Sequence, residues 1–161
     1  MIEERIGDIF EQDDINVIVH CANCFCTMGA GIAKIIKQRY PEAYRADCDF
    51  DFPKGSRKRL GQISLAEVEN GTKIIVNVYG QYDYKSNYFK KRSFYLNYEA
   101  LENGLKLIRS YLMNREGEWV LGIPHGIGCG LAGGNWVAVR EIITKTFGDT
   151  SEIKVVICKL R

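Results

Sequence analysis

The chain lacks a surplus of either charge: 22 Lys and Arg stand against 20 Asp and Glu in 161 residues, a formal charge of +2. That balance removes the electrostatic case for strong nucleic-acid binding, which ordinarily shows a basic face or tail. Long apolar runs are missing too, and the opening Met1-Ile2-Glu3-Glu4-Arg5 is neither basic nor followed by one. With nothing that reads as a bilayer span or a leader, the expectation is a soluble, cytoplasmic protein with no membrane partner. No internal repeat, no low-complexity tract and no Gly-Lys-Ser/Thr of a P-loop occurs. What remains is 46% apolar and 26% charged, which suits one globular domain over residues 1–161 that buries its own core. Six cysteines, three of them between Cys21 and Cys26, read as reduced thiols in the absence of a leader.

The chain is organised around the stretch from Val17 to Lys34. The β-branched run Val17-Ile18-Val19 predicts a buried strand, a small and polar segment follows, and Gly29-Ala30-Gly31 opens apolar spacing of helical period at Ile32, Ile35 and Ile36. Strand, glycine loop, helix is an arrangement that brings backbone N–H groups and a helix N-terminus to an anion. The third glycine of the dinucleotide fingerprint is absent, so the loop alone does not name its ligand.

In order along the chain, Met1 to Ile6 predicts a strand and Gly7-Asp8-Ile9 a turn, whose aspartate either caps the next element or points at a ligand. Pro41 marks the end of the helix from Ile32. The acids and then Lys54, Arg57, Lys58 and Arg59 between Asp47 and Arg59 read as an irregular, solvated excursion that could also meet an anion. Gly61 to Val68 and Thr72 to Tyr79 predict two strands joined by a Glu69-Asn70-Gly71 hairpin turn. Gly80 to Arg92, rich in tyrosine and lysine, is either a rim over a pocket or a wet aromatic loop. A long helix is expected from Ser93 to Met113, with Gly104 inside it for close packing. Trp119 to Pro124 predicts a buried strand, and five of the next twelve residues, His125 to Trp136, are glycine. Asn135 is placed to cap a helix ending at Phe147, and Ile153 to Leu160 predicts the last strand. Alternating strands and helices specify an α/β sandwich with a mixed sheet, and two glycine-rich loops that both follow strands and precede helices can wall one cleft. An extended phosphate-bearing ligand suits that geometry.

Gly7-Asp8-Ile9, the strand ending in Asn23, Gly29-Ala30-Gly31-Ile32-Ala33 and Ile127-Gly128-Cys129-Gly130-Leu131 followed by Trp136 together resemble the macro domains, a family that binds ADP-ribose. The resemblance spans nearly the whole chain. His20-Cys21 before the asparagine, with Gly-Cys-Gly-Leu in the second loop, is similar to the branch of ADP-ribose 1''-phosphate phosphatases and terminal ADP-ribose glycohydrolases. The resemblance implies a three-layer sandwich with a mixed central sheet of about six strands. It also implies that Asp8 receives the adenine amino group beside the Ile9 backbone, that Asn23 holds distal-ribose hydroxyls, and that Leu160 lies against the adenine. Gly29, Ala30, Gly31 and Ile32 would wrap one side of the diphosphate. Gly126, Ile127, Gly128, Cys129, Gly130 and Leu131 would wrap the other.

Two departures bear on chemistry. Macro-domain hydrolases that free ADP-ribose from proteins often carry an aspartate where Ala33 stands here. Those acting on acidic-side-chain esters use a lysine and an aspartate at positions that fall here around Asn77-Val78 and at Ala132. Neither mechanism transfers, whereas the histidine of the phosphatase branch is retained as His20. The resemblance thus makes His20 and Asn23 the candidate catalytic residues of a metal-free 1''-phosphate hydrolysis with no cofactor. The loop N–H groups would steady the phosphoryl oxygens while His20 relays a proton. A non-catalytic reader of ADP-ribose, or a hydrolase acting on ADP-ribosylated protein or nucleic acid, are the alternatives. A monomer is expected.

Each reactive residue also has a plain structural reading. A histidine ending an apolar strand often only packs. His20 with Cys21, Cys24 and Cys26 invites zinc, but the distant second pair is only His125 with Cys129, and small thiols packed under a tight loop are preferred. Cys129 is either a field-activated nucleophile or packing, and packing is preferred because no arginine follows before Arg140. His125 is either a second proton-transfer group or a strand-end rim residue.

Overall fold

A computed structural model describes residues 1–84, 96–130 and 132–161. Six strands, β1 (Ile2–Ile6), β2 (Val17–Ala22), β3 (Ile63–Val68), β4 (Lys73–Tyr79), β5 (Trp119–Pro124) and β6 (Ile153–Lys159), form one sheet in the order β1-β6-β5-β2-β4-β3. Every neighbouring pair is parallel except β3 against β4, which is the expected hairpin, so the sheet is mixed. Its turn is left-handed at Glu69, Asn70 and Gly71 in succession, a conformation that Asn and Gly tolerate best.

Four helices cover the faces: α1 (Gly31–Arg39), α2 (Pro41–Cys48), α3 (Tyr98–Met113) and α4 (Trp136–Phe147). Leu101, Leu105, Ile108 and Leu112 recur along one side of α3 and, with Val139, Ile143 and Phe147 of α4, pack on Val17, Val19, Val76, Leu121 and Val155 of the sheet. Burying each such side chain contributes about 1.5–3 kcal/mol. Gly104 lets α3 approach β4, because a Cβ there would lie 2.5 Å from Val78 Cγ1. On the other face α1 and α2 bring Ile36 and Ala43 against Ile18, Ile75 and Val156. A strand buried on both faces has to be apolar throughout, and Val17, Ile18 and Val19 are each fully buried. The result is the three-layer α/β sandwich with six strands that the resemblance implied.

Three boundaries differ from the sequence expectations. Pro41 does end α1, but it is also the first residue of α2, where its missing N–H goes unneeded and its fixed φ suits the first turn. Helix α3 starts at Tyr98, with Asn97 accepting a hydrogen bond from Ala100 N at 2.9 Å, rather than at Ser93, which lies outside the described residues. The excursion from Asp47 to Arg59 is not simply solvated. Asp47 ends inside α2, Arg59 closes a short 3-10 turn (Arg57–Arg59), and both side chains are buried, 3.0 Å apart.

Candidate functional site

Strands β2, β4, β5 and β6 run parallel, so their carboxyl ends share one edge of the sheet, and a cleft of about 830 Å³ opens there. One wall is the first glycine loop running into α1. Gly29, Ala30, Gly31, Ile32 and Ala33 all line it, and Ala30, the N-cap of α1, offers no side-chain hydrogen bond to the helix. The partial positive charge of that helix end therefore faces the cleft with no side-chain cap. The opposite wall is the second loop, with Gly126, Ile127, Gly128 and Gly130. Gly31 and Gly126 have φ of +58° and +77°, and a Cβ on either would meet nothing within 4 Å. Backbone conformation, not crowding, is what calls for glycine at both.

Within the second loop Ile127 N donates to Pro124 O and Cys129 N donates to Gly126 O, so two of its N–H groups are committed to the loop's own turns. Those of Gly126 and Gly128 donate to no backbone group among the described residues. Arg39 and Lys159 are the only Lys or Arg among the described lining residues. Arg39 is already engaged, with Glu11 at 3.0 Å and over the Phe10 ring at 5.1 Å. An anion between the loops would be held by backbone dipoles.

The two ends of the cleft differ. At one end stand Asp8, Ile9, Phe10 and Leu160. Asp8 takes the capping alternative, its carboxylate accepting from Phe10 N at 2.9 Å at the start of the short turn Ile9–Glu11, and it also lines the cleft. Leu160 is 71% exposed, an apolar side chain at the rim. At the other end stand Asn23, Thr27, Gln81, Tyr84 and Asp47. Asn23 is held in place by its own loop, accepting from Phe25 N and donating to Thr27 Oγ1, each at 2.7 Å. Of the tyrosine-rich segment, Gln81 and Tyr84 reach the cleft, and residues 85–92 lie outside those described.

Two expected site residues are not at the cleft wall, and Leu131 lies outside the described residues. His20 is the main correction. Successive strand residues face opposite sides of a sheet, and while Cys21 borders the cleft, His20 points beneath α2 and is fully buried. Burial pushes its imidazole down to about 4, so at neutral pH the ring is uncharged, and it does not line the cleft. Its Nε2 lies 2.6 Å from Asn77 Oδ1. Cys129 is the second: its thiol packs against the core and donates to Ile127 O at 3.4 Å, and burial raises it away from the thiolate. The packing alternative holds there. Burial likewise drives the Cys21 thiol up to about 12. The cysteines around His20 diverge, with Cys24 donating to Gln81 O and Cys26 to Asp47 O, each at 3.5 Å. Among the described residues no three His, Cys, Asp or Glu side chains gather as metal ligands. His125 sits at the rim, its ring 4.4 Å from that of Trp136.

Sequence reasoning missed a buried polar chain below the cleft. Asn77 Nδ2 donates to Ala43 O and Ser64 Oγ, both at 3.0 Å, which fixes its Oδ1 as acceptor and His20 Nε2–H as donor. Ser64 lies 2.8 Å from Tyr79 OH, and Tyr79 OH donates to Asp47 Oδ1 at 2.7 Å. Arg59 Nη1 donates to the same oxygen at 3.0 Å, while Arg59 Nε donates to Phe52 O at 2.8 Å. Donation runs one way, from His20 to Asp47, and Asp47 borders the cleft. Asn77 and Tyr79 at alternate positions of β4, with Ser64 across from Asn77 on β3, were the available signal, but nothing local ties them to Asp47 or Arg59.

No family model matches the chain. A bovine protein named ADP-ribose glycohydrolase OARD1 is 28% identical over 154 residues, 96% of this chain and 88% of its own length. An Aspergillus oryzae ADP-ribose 1''-phosphate phosphatase is 46% identical, but over 43 residues, 27% of this chain and 21% of that one. The macrodomain of Thermus aquaticus DarG superposes with a TM-score of 0.74 at 19% identity, over 98% of this chain and 97% of that one.

Proposed function

We propose that the chain, which shares its fold with solved macrodomains and is 28% identical to a protein named as an ADP-ribose glycohydrolase, is a macro domain that binds ADP-ribose and hydrolyses ADP-ribose 1''-phosphate to ADP-ribose and phosphate. The observation that carries the ligand is the pairing of two glycine walls around a cleft of about 830 Å³, one of them a helix end with no side-chain cap. A diphosphate spans such walls, with backbone N–H groups on both sides. Adenine then falls at the Asp8, Ile9 and Leu160 end, and the distal ribose beside the pre-oriented Asn23. Carbon 1'' is thereby directed to the end holding Thr27, Gln81 and Asp47.

Phosphoryl transfer asks for positioning and for charge stabilisation by dipoles already in place, and the loop N–H groups supply it. His20 takes no part in proton transfer. It anchors the polar chain that ends on Asp47. The whole-length likeness to a protein named as an ADP-ribose glycohydrolase supports a second reading, in which ADP-ribose is released from a modified macromolecule at the same distal end.

A phosphorus NMR time course with ADP-ribose 1''-phosphate, in chelator with dilute protein and then at stoichiometric protein, separates these. Inorganic phosphate appearing with the pyrophosphate intact is the expected result. Shifted pyrophosphate signals without turnover would replace the phosphatase with a reader or with a hydrolase of linked ADP-ribose. Unchanged spectra at both concentrations would overturn the ligand itself.

A further inference from the structure

On the reading that places the distal ribose at Asn23, we propose that Thr27 is the hydroxyl that recognises the 1''-phosphate, donating to one of its non-bridging oxygens. The hydrogen bonds around Thr27 fix its direction. Asn23 Oδ1 accepts from Phe25 N at 2.7 Å, and a backbone N–H can only donate, so the amide of Asn23 has one orientation. Its Nδ2 then donates to Thr27 Oγ1 at 2.7 Å. Thr27 is therefore the acceptor of that bond, and its own O–H has no acceptor among the described residues. A half-buried residue that borders the cleft with its hydroxyl hydrogen unspent is a donor to whatever fills that end.

The neighbouring side chains repeat the pattern. Gln81 Nε2 donates to Asp83 O at 2.8 Å while its Oε1 accepts from Cys21 Sγ at 4.0 Å. Each side-chain oxygen of Asn23, Thr27 and Gln81 thus already accepts a bond, and each of the three keeps one hydrogen without an acceptor among the described residues. A ribose hydroxyl calls for an acceptor as well as a donor, whereas the oxygens of a phosphate dianion only accept. Asp47 at the same end is 1% exposed and paired with Arg59 at 3.0 Å, so it sets no open negative charge against an anion. The first loop also holds Thr27 in place against local backbone preference. Cys26 and Met28 on either side have φ of +58° and +40°, a region that residues other than glycine rarely adopt. They are pinned there by Cys26 Sγ donating to Asp47 O at 3.5 Å and by the burial of Met28. Such strain persists only where the surroundings impose it, and it collects at functional sites. Carbon 1'' adjoins the ribose hydroxyls that Asn23 would hold, so a hydroxyl 2.7 Å from the Asn23 amide is within reach of a phosphate on that carbon.

Phosphate release from ADP-ribose 1''-phosphate, with calorimetric titration of ADP-ribose, tests this on wild type, Thr27→Val and Thr27→Ser. Valine keeps the branched shape and removes the donor. Thr27→Val should lower kcat/KM by about 10- to 100-fold, the loss of one hydrogen bond to a charged group, with ADP-ribose affinity within about threefold. Thr27→Ser keeps the hydroxyl and should stay within about threefold of wild type on both measures. A loop merely loosened by the substitution would not separate the two ligands, because Asn23 and the glycine walls serve both. Unchanged turnover in Thr27→Val, an equal loss for both ligands, or a Thr27→Ser no better than Thr27→Val overturns the role of Thr27 while the phosphatase stands. A wild type that binds ADP-ribose yet releases no phosphate overturns the phosphatase, and titration with the uncleaved 1''-phosphate then decides the role of Thr27. Binding tighter than that of ADP-ribose, with the difference lost in Thr27→Val, upholds it, and any other result overturns it.

Discussion

The two faces of the central sheet are built on opposite principles. Under α3 and α4 the core is leucine, isoleucine, valine and phenylalanine, and the buried Thr146 satisfies its hydroxyl within its own helix, donating to Ile142 O at 2.8 Å. Under α2, by contrast, His20, Ser64, Asn77, Asp47 and Arg59 are all buried and joined through Tyr79 into one hydrogen-bonded chain, with His20 Nδ1 and Arg59 Nη2 left without a partner among the described residues. Apolar packing stabilises a fold with few demands on geometry, whereas a buried polar chain has to be satisfied at every link. The polar face is also the one that borders the cleft at Asp47. The difference suggests that one face supplies stability and the other supplies orientation at the site.

The largest test of that division removes Arg59. Arg59→Met leaves Asp47 buried and unpaired and should destabilise the fold by about 3–5 kcal/mol. Leu105→Ala on the apolar face should lose about 2–5 kcal/mol. The faces part company in the double variant. Asp47→Leu with Arg59→Met removes both charges and should regain most of the loss. Urea unfolding of the four proteins reads the stabilities, and a double variant as unstable as Arg59→Met would mean that the ion pair itself stabilises the fold.

How much of this could be read from the sequence follows the same division. The apolar face was legible because Val17-Ile18-Val19 and the spacing from Leu101 to Leu112 are local, periodic signals. The glycine walls were legible because loop, strand and helix are contiguous in the chain. On the polar face, Pro41 was read as a stop when it was also a start. Arg59 was grouped with Lys54, Arg57 and Lys58, although it alone among these four is buried. Its partner lies twelve residues away across an irregular segment, and no spacing rule links them. His20 was read as ending its strand, but β2 runs on to Ala22, and it is Cys21, facing the other way, that borders the cleft.

A smaller effect separates the faces by pH. Burial holds the folded His20 at about 4 against an ordinary 6.5, so the unfolded chain binds the proton first. The stability that His20 contributes is complete above about 6.5 and is lost as pH falls toward 4, by about 3 kcal/mol. Asp47, raised by burial, runs the other way: its contribution is present below its unfolded value and lost as pH rises through the folded one. Comparing wild type with His20→Gln cancels Asp47. The stability gap between them should shrink by about 3 kcal/mol from pH 7 to pH 4, and a gap that stays constant would mean that His20 is not the buried neutral base described.

The smallest effect in stability discriminates best at the cleft. Helix α4 is capped by Asn135, which accepts from Val137 N and Ala138 N, while the N-cap of α1 is Ala30, extended at φ −146° and ψ 156° but with no side chain to offer. Ala30→Asp would supply the missing cap and should stabilise the fold by about 1 kcal/mol, raising the melting temperature by about 2–4 °C for a chain of this size. It also sets a carboxylate where the diphosphate is proposed to lie, so ADP-ribose affinity should fall at least about tenfold. Asn135→Ala should lower stability by about the same 1 kcal/mol and leave affinity unchanged. Opposite signs in stability and affinity at Ala30 would mark the bare helix end as a site kept open for an anion. Retained affinity in Ala30→Asp would move the diphosphate away from α1 and leave the second loop as its sole support.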